Sequence, residues 1–181
     1  MAFKLYLHLL CAGCTALNIL IMLQDFNNMP GRSRIWIYQA DKPLTQQQQA
    51  AIIEQGNQFF AQWVAHGKDL HSAFKIFHSQ FLVVALDESS QEATGCSIDA
   101  SVHFVQTLEQ QFGINFFDRT KIAFAVGDEV ILVPMATIKE QIAQGHINAE
   151  STTFNNLVTN KTQFEEAWQV PAKNSWLSRY F

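Results

Sequence analysis

The chain has 181 residues, of which 48% are hydrophobic and 15 are Phe. That length suits one domain with a substantial core, since a domain of about 150 residues buries roughly 68–70% of its unfolded surface. Twelve Lys and Arg against sixteen Asp and Glu leave a formal net charge of -4, with the basic residues scattered. A nucleic-acid-binding face or a grip on an anionic membrane needs a basic field, so neither is expected.

Residues 5–23, LYLHLLCAGCTALNILIML, are mostly apolar and are interrupted by His8 and Asn18. About 20 apolar residues span a bilayer, so a signal anchor is one reading, and a cleaved secretion signal begun by Lys4 is another. The leading expectation is that translation starts at Met29, which makes 1–28 an apolar extension and 29–181 a single domain. Cys11 and Cys14 fall in the extension and Cys96 alone in the domain. One thiol builds neither a disulfide framework nor a thiolate zinc site. The domain is therefore expected to be cytoplasmic, and membrane-anchored only if 5–23 is translated and retained.

SRIWIYQA (33–40) is β-branched and aromatic and predicts a strand. Pro43 and Thr45 open a helix, with Thr45 and Gln48 as a capping box. Ile52, Phe59 and Trp63 recur at helical spacing, and Gly67 is expected to supply the left-handed stop. HSAFKIFHS (71–79) and QFLVVALDE (80–88) predict a β-hairpin whose second strand, apolar on both faces, is central. After the polar loop SSQEATG (89–95), Val102, Val105, Leu108 and Phe112 mark a helix capped by Ser97 and ended by Gly113. KIAFAV and EVILVPM flank the hairpin signal Gly127-Asp128, and a short helix around Ile138 and Ile142 stops at Gly145. Thr162 and Glu165 read as a second capping box, opening a helix that includes Trp168, with SWLSRYF after Pro171. The order β-α-β-β-α-β, with an extra strand and C-terminal helices, matches the ferredoxin-like plan: an α+β fold with helices on one face of an antiparallel sheet.

The stretch ATGCSIDASV (93–102) puts Cys96 where a helix begins. A helix N-terminus stabilises a thiolate by about 0.3–1 kcal/mol, less than the 1.36 kcal/mol of one pKa unit. Asp99, read in the same first turn, opposes it. His103 lies seven residues on, roughly 10 Å along the axis at 1.5 Å per residue, so a base must come from elsewhere in the fold. A small buried thiol at a tight turn is the leading expectation; a functional thiol makes Cys96, Ser97 and Asp99 the candidate catalytic set. An anion on the TGCS backbone is disfavoured by the charge of Asp99.

FLVVALDE (81–88) has the form of a Walker B strand, but no G-x-x-x-x-G-K-[ST] loop accompanies it, so Asp87 and Glu88 read as a solvated strand end. The six histidines show no metal-ligand spacing. No metal or other cofactor is expected. Trp36 and Tyr38 share one strand face, which suits core or dimer packing better than an RNA stacking platform, given the missing basic-aromatic signature.

The segments RIWIYQA, FLVVALDE, GCSIDASVHF and FNNLV…W…PAKNSW resemble a family of small proteins from Bacteroidetes-type bacteria whose members often carry the label "ABC transporter ATPase". The resemblance covers roughly residues 32–178 and implies a start near Met29 and a cytosolic location. It transfers no catalytic residue. The label implies an ATPase working with a transporter, for which this chain has neither a Walker A loop nor an LSGGQ-like signature. The leading functional expectation is a binding or dimerisation module without catalysis, taking an unidentified protein or small-molecule partner, with homodimerisation included. Trp36, Tyr38 and Trp176 are its candidate interaction residues. The alternatives are a thiol enzyme or redox sensor at Cys96, and the ATPase.

Overall fold

The computed structural model describes residues 25–181. The apolar stretch 5–23, with Cys11 and Cys14, lies outside the described residues. The described chain is mixed α and β, and all its strand pairs are antiparallel.

Strand β1 (Arg34–Gln39) leads to α1 (Gln46–Phe60), which starts where both hydrogen bonds of the Thr45–Gln48 capping box form. The helix ends at Phe60, earlier than its apolar spacing predicts. A miniature hairpin follows, β2 (Val64–Ala65) and β3 (Lys68–Asp69), turning on His66 (φ 51°) and Gly67 (φ 75°). Gly67 is left-handed as expected, but it serves a hairpin turn and not a helix end. Trp63 leaves the helix because its ring is buried beside Phe59 and Phe60 and its N–H finds a partner elsewhere.

Strands β4 (His71–Phe77) and β5 (Phe81–Asp87) form the expected hairpin, and β5 is central and buried along its whole length. The sheet order is β1-β5-β4, so β1 and β4 run parallel with β5 inserted between them. This is the split β-α-β half of the expected plan. The second half departs from it. Helix α2 (Gly95–Phe112), ended by Gly113 at φ 59°, leads to β6 (Lys121–Val126), which does not join the edge at β1. It heads a second sheet with β7 (Glu129–Pro134), β8 (Thr152–Phe154) and β9 (Gln169–Pro171), in the order β7-β6-β8-β9. The edge of β1 is occupied instead by the loop before α4 (Lys161–Ala167), where the Ile35 N–H donates to the Thr159 carbonyl at 3.0 Å.

Burial explains the layering. On one face of the first sheet Tyr38, Leu82, Val84 and Leu86 pack against Ile52, Phe60, Val105 and Leu108 of the two long helices. On the other, Ile35, Phe81, Val83 and Ala85 meet Ala123, Phe154, Phe164 and Trp168, so the second sheet covers that face. The far side of the second sheet is closed by α3 (Ile138–Ala143) and the C-terminal 3-10 turns, through Ile138, Ile147 and Leu177. Helices on one face therefore holds for the first sheet, because a strand apolar on both sides needs two covers. Helix α4 is capped by Asn160, whose side chain accepts from the Gln163 N–H at 2.9 Å; Thr162 is already inside the helix.

Candidate functional site

The loop after β5 and the first turn of α2 face the His66-Gly67 turn across an open hollow of about 490 Å³. Phe59, Trp63, Val64 and Ala65 supply its apolar wall, and Thr94, Cys96 and Ser97 its helical wall. A neighbouring hollow of about 470 Å³ shares His66 and Thr94 and is lined by Glu88 and Glu92. One apolar recess and one polar recess thus meet at His66.

The helical wall is fixed by its cap. Thr94 is the N-cap of α2: its hydroxyl accepts from the Ser97 N–H at 3.2 Å, and the Ser97 hydroxyl accepts from the Thr94 N–H at 2.8 Å. Ser97, expected as the N-cap, is instead the third helical residue, is 3% exposed, and serves as the returning half of the box. Its own carbonyl accepts the indole N–H of Trp63 at 2.8 Å in a buried setting, which ties the hairpin to the helix. Asp99 is exposed and lies beyond the first turn, which carries no acidic residue.

Cys96 is exposed. The expectation of a small buried thiol is therefore corrected: with Ser97 turned inward to complete the cap, the adjoining helical position points to solvent. Folding also brings a histidine to the same hollow, His66, which spacing along the chain did not single out. No local pattern marks it: Gly67 read as a helix stop, and the left-handed turn at His66 (φ 51°) shows only in the folded chain.

Asp87 is buried, at 5% exposure, so the reading of a solvated strand end is overturned. Its carboxylate accepts from the Ser89 N–H at 3.2 Å, and Arg32 (Nε at 3.3 Å) and His71 (Nδ1 at 3.6 Å) approach it. Burial pushes its pKa up, but the Ser89 hydrogen bonds, the Arg32 charge and His71 outweigh that and hold it below the ordinary carboxylate value. Glu88 beside it accepts from the Ala93 N–H at 3.2 Å and pairs with Arg34 at 3.7 Å. Both acids organise the loop that shapes the polar recess.

Trp36 and Tyr38 face the helices. Tyr38 is 7% exposed and edge-on to Phe117, and burial raises the pKa of its phenol against a lowering hydrogen bond to Ser101. Trp36 is half-buried, edge-on to Trp63, with the Arg34 guanidinium 4.6 Å above its ring. The helical cover leaves no open stacking platform on this face. Trp176 is 37% exposed at the opposite end of the layers, with Arg179 5.1 Å from its ring centre. The structure does not bring it to the hollow.

Among the described residues, no group of three or more His, Cys, Asp or Glu is placed to hold a metal ion, and no helix is long and apolar enough to cross a membrane. No known family, no curated protein and no solved structure matches the chain.

Proposed function

We propose that the protein is a cytoplasmic binding module whose small-molecule ligand seats in the hollow at His66, with an apolar part on Phe59, Trp63 and Val64 and a polar part toward Thr94. The observation that carries this reading is the exposure of Val64, at 43%, on a wall shared with exposed His66 and Cys96. Ligand pockets combine apolar walls with a few convergent polar groups. The test is a small-molecule library screened for compounds that slow alkylation of Cys96, read by peptide mass spectrometry. A hit whose protection is lost in Val64→Glu supports the site, and a library with no protecting compound sinks it.

A thiol enzyme or redox sensor is the second reading, favoured by an exposed Cys96 and a histidine on one hollow. It requires an apparent thiol pKa well below about 8.5, the free value. A pH profile of Cys96 alkylation that follows an ordinary thiol removes it. The ATPase reading rests on the family resemblance alone, and a flat titration with ATP and Mg²⁺ disposes of it. For the fold, the split β-α-β half supports a ferredoxin-like plan whose fourth strand stands in the second sheet.

A further inference from the structure

We infer that β7 is a dimerisation edge, at which a second copy of this chain adds its own β7 antiparallel about a two-fold axis at Ile131. Among the described residues β7 has β6 on one side and no strand on the other. The ladder with β6 is unbroken from Val126↔Glu129 to Lys121↔Pro134. Its phase is fixed at the far end, where the Met135 N–H donates to the Thr120 carbonyl at 2.8 Å. Residues alternate along a strand, so 131, 133 and 135 bond inward while Val130 and Leu132 direct N–H and C=O outward. No turn, loop or cap bond among the described residues uses either of them.

Exposed edges of this kind are usually blunted by a charge, a bulge or a covering segment. The other long edge, β4, carries Lys75, whose ammonium reaches the Asn27 side chain at 3.3 Å in the turn at Phe26–Asn28. The edge of β1 is covered near Thr159. In β7 the centre, Val130-Ile131-Leu132-Val133, is bare of charge and bulge, and Glu129 and Pro134 stand only at its ends. Pro134 lies at an outward position, where its missing N–H ends the ladder without disturbing β6.

The side chains fit one partner, a second copy. Val126, Ile131 and Met135 are 55%, 37% and 37% exposed, and the register puts all three on one face of the β6–β7 ribbon. With the axis at Ile131, Val130 of each copy pairs with Leu132 of the other, forming about four main-chain hydrogen bonds. Ile131 then meets its own counterpart. Met135 falls opposite Gly127 of the second copy, where the absence of a side chain leaves room to reach Val126. One rotation thus covers three exposed apolar side chains and every outward backbone group of the strand centre.

Light scattering and sedimentation on the full chain test this. The expected mass across a dilution series is about twice the 20.5 kDa of one chain. Ile131→Lys leaves the inward bonds to β6 intact and sets two ammonium groups face to face, so its dissociation constant should rise at least about tenfold. Ile131→Asp should do the same, and mixing the two variants should restore a heterodimer. If Ile131→Lys fails to fold by circular dichroism, Met135→Lys makes the same test. A wild type that stays monomeric, or a dimer that none of these substitutions weakens, overturns the proposal.

Discussion

The indole N–H of Trp63 donates to the backbone carbonyl of Ser97 at 2.8 Å, joining the end of one helix region to the first turn of the other across the hollow. Trp63 is 3% exposed and packs beside Phe59 and Phe60, so the ring holds the apolar wall while its nitrogen holds the helical one. Trp63→Phe keeps most of the packing and removes the donor. It should destabilise the protein by about 0.5–1.5 kcal/mol, the net worth of a buried hydrogen bond. Chemical denaturation read by circular dichroism measures it, and an unchanged midpoint would show the link to be idle.

Ser97→Ala separates cap from chemistry. Losing the Ser97 hydroxyl leaves the Thr94 N–H without its acceptor at 2.8 Å while the Thr94 cap bond stays, and one hydrogen bond is worth about 0.5–1.5 kcal/mol. The expected result is lower stability with the rate and pH profile of Cys96 alkylation unchanged. Altered alkylation at undiminished stability would mean that Ser97 acts on the thiol.

Asp87 sets the acid limb of stability. A carboxyl whose folded pKa is depressed stabilises the fold while ionised. Its contribution is complete above the unfolded value of about 3.9 and is lost as pH falls through the lower folded value. Arg32 is 66% exposed at its side chain, so its charge is screened and the Ser89 N–H carries more of the effect. Asp87→Asn should cost about 1–3 kcal/mol near pH 7. The difference from wild type should hold from pH 7 to about pH 4 and narrow below the unfolded value of about 3.9, a convergence that thermal melts carried down to about pH 2 would reveal or refute.

Gly56→Ala should destabilise, against helix propensity, which favours Ala over Gly by about 1 kcal/mol. Gly56 lies inside α1, and an added Cβ would collide with the Phe74 ring, whose own face stacks on Phe60 at 5.0 Å. Overpacking of this kind costs about 1–3 kcal/mol. A raised melting temperature in Gly56→Ala would show that the Phe74 ring gives way freely.

Phe26 packs edge-on between Phe77 and Phe164, at 5.3 and 5.7 Å, and is 5% exposed, so the second core reaches three residues before Met29. Phe26→Ala should cost about 3–5 kcal/mol, as for other buried Phe. A chain started at Met29 should show a loss of similar size in denaturant titration; equal midpoints for long and short chains would mean the ring adds nothing.

Local signals in the sequence determined much of the fold. The Thr45–Gln48 box, the stop at Gly113, the Gly127-Asp128 turn and the doubly apolar β5 each depend on neighbouring residues, and each formed where its pattern lies. Only the tertiary structure decided the rest, because those features depend on partners distant in sequence. Helix α1 stops at Phe60 since Trp63 is claimed by Ser97, 34 residues away. β6 starts a second sheet because Thr159 has taken the edge of β1 and β5 needs its second face covered. At the hollow, the thiol was legible as a residue, but its exposure and its neighbour His66 were not. The cap turned Ser97 inward and Cys96 out, and a turn of two left-handed residues set His66 on the wall of the same hollow.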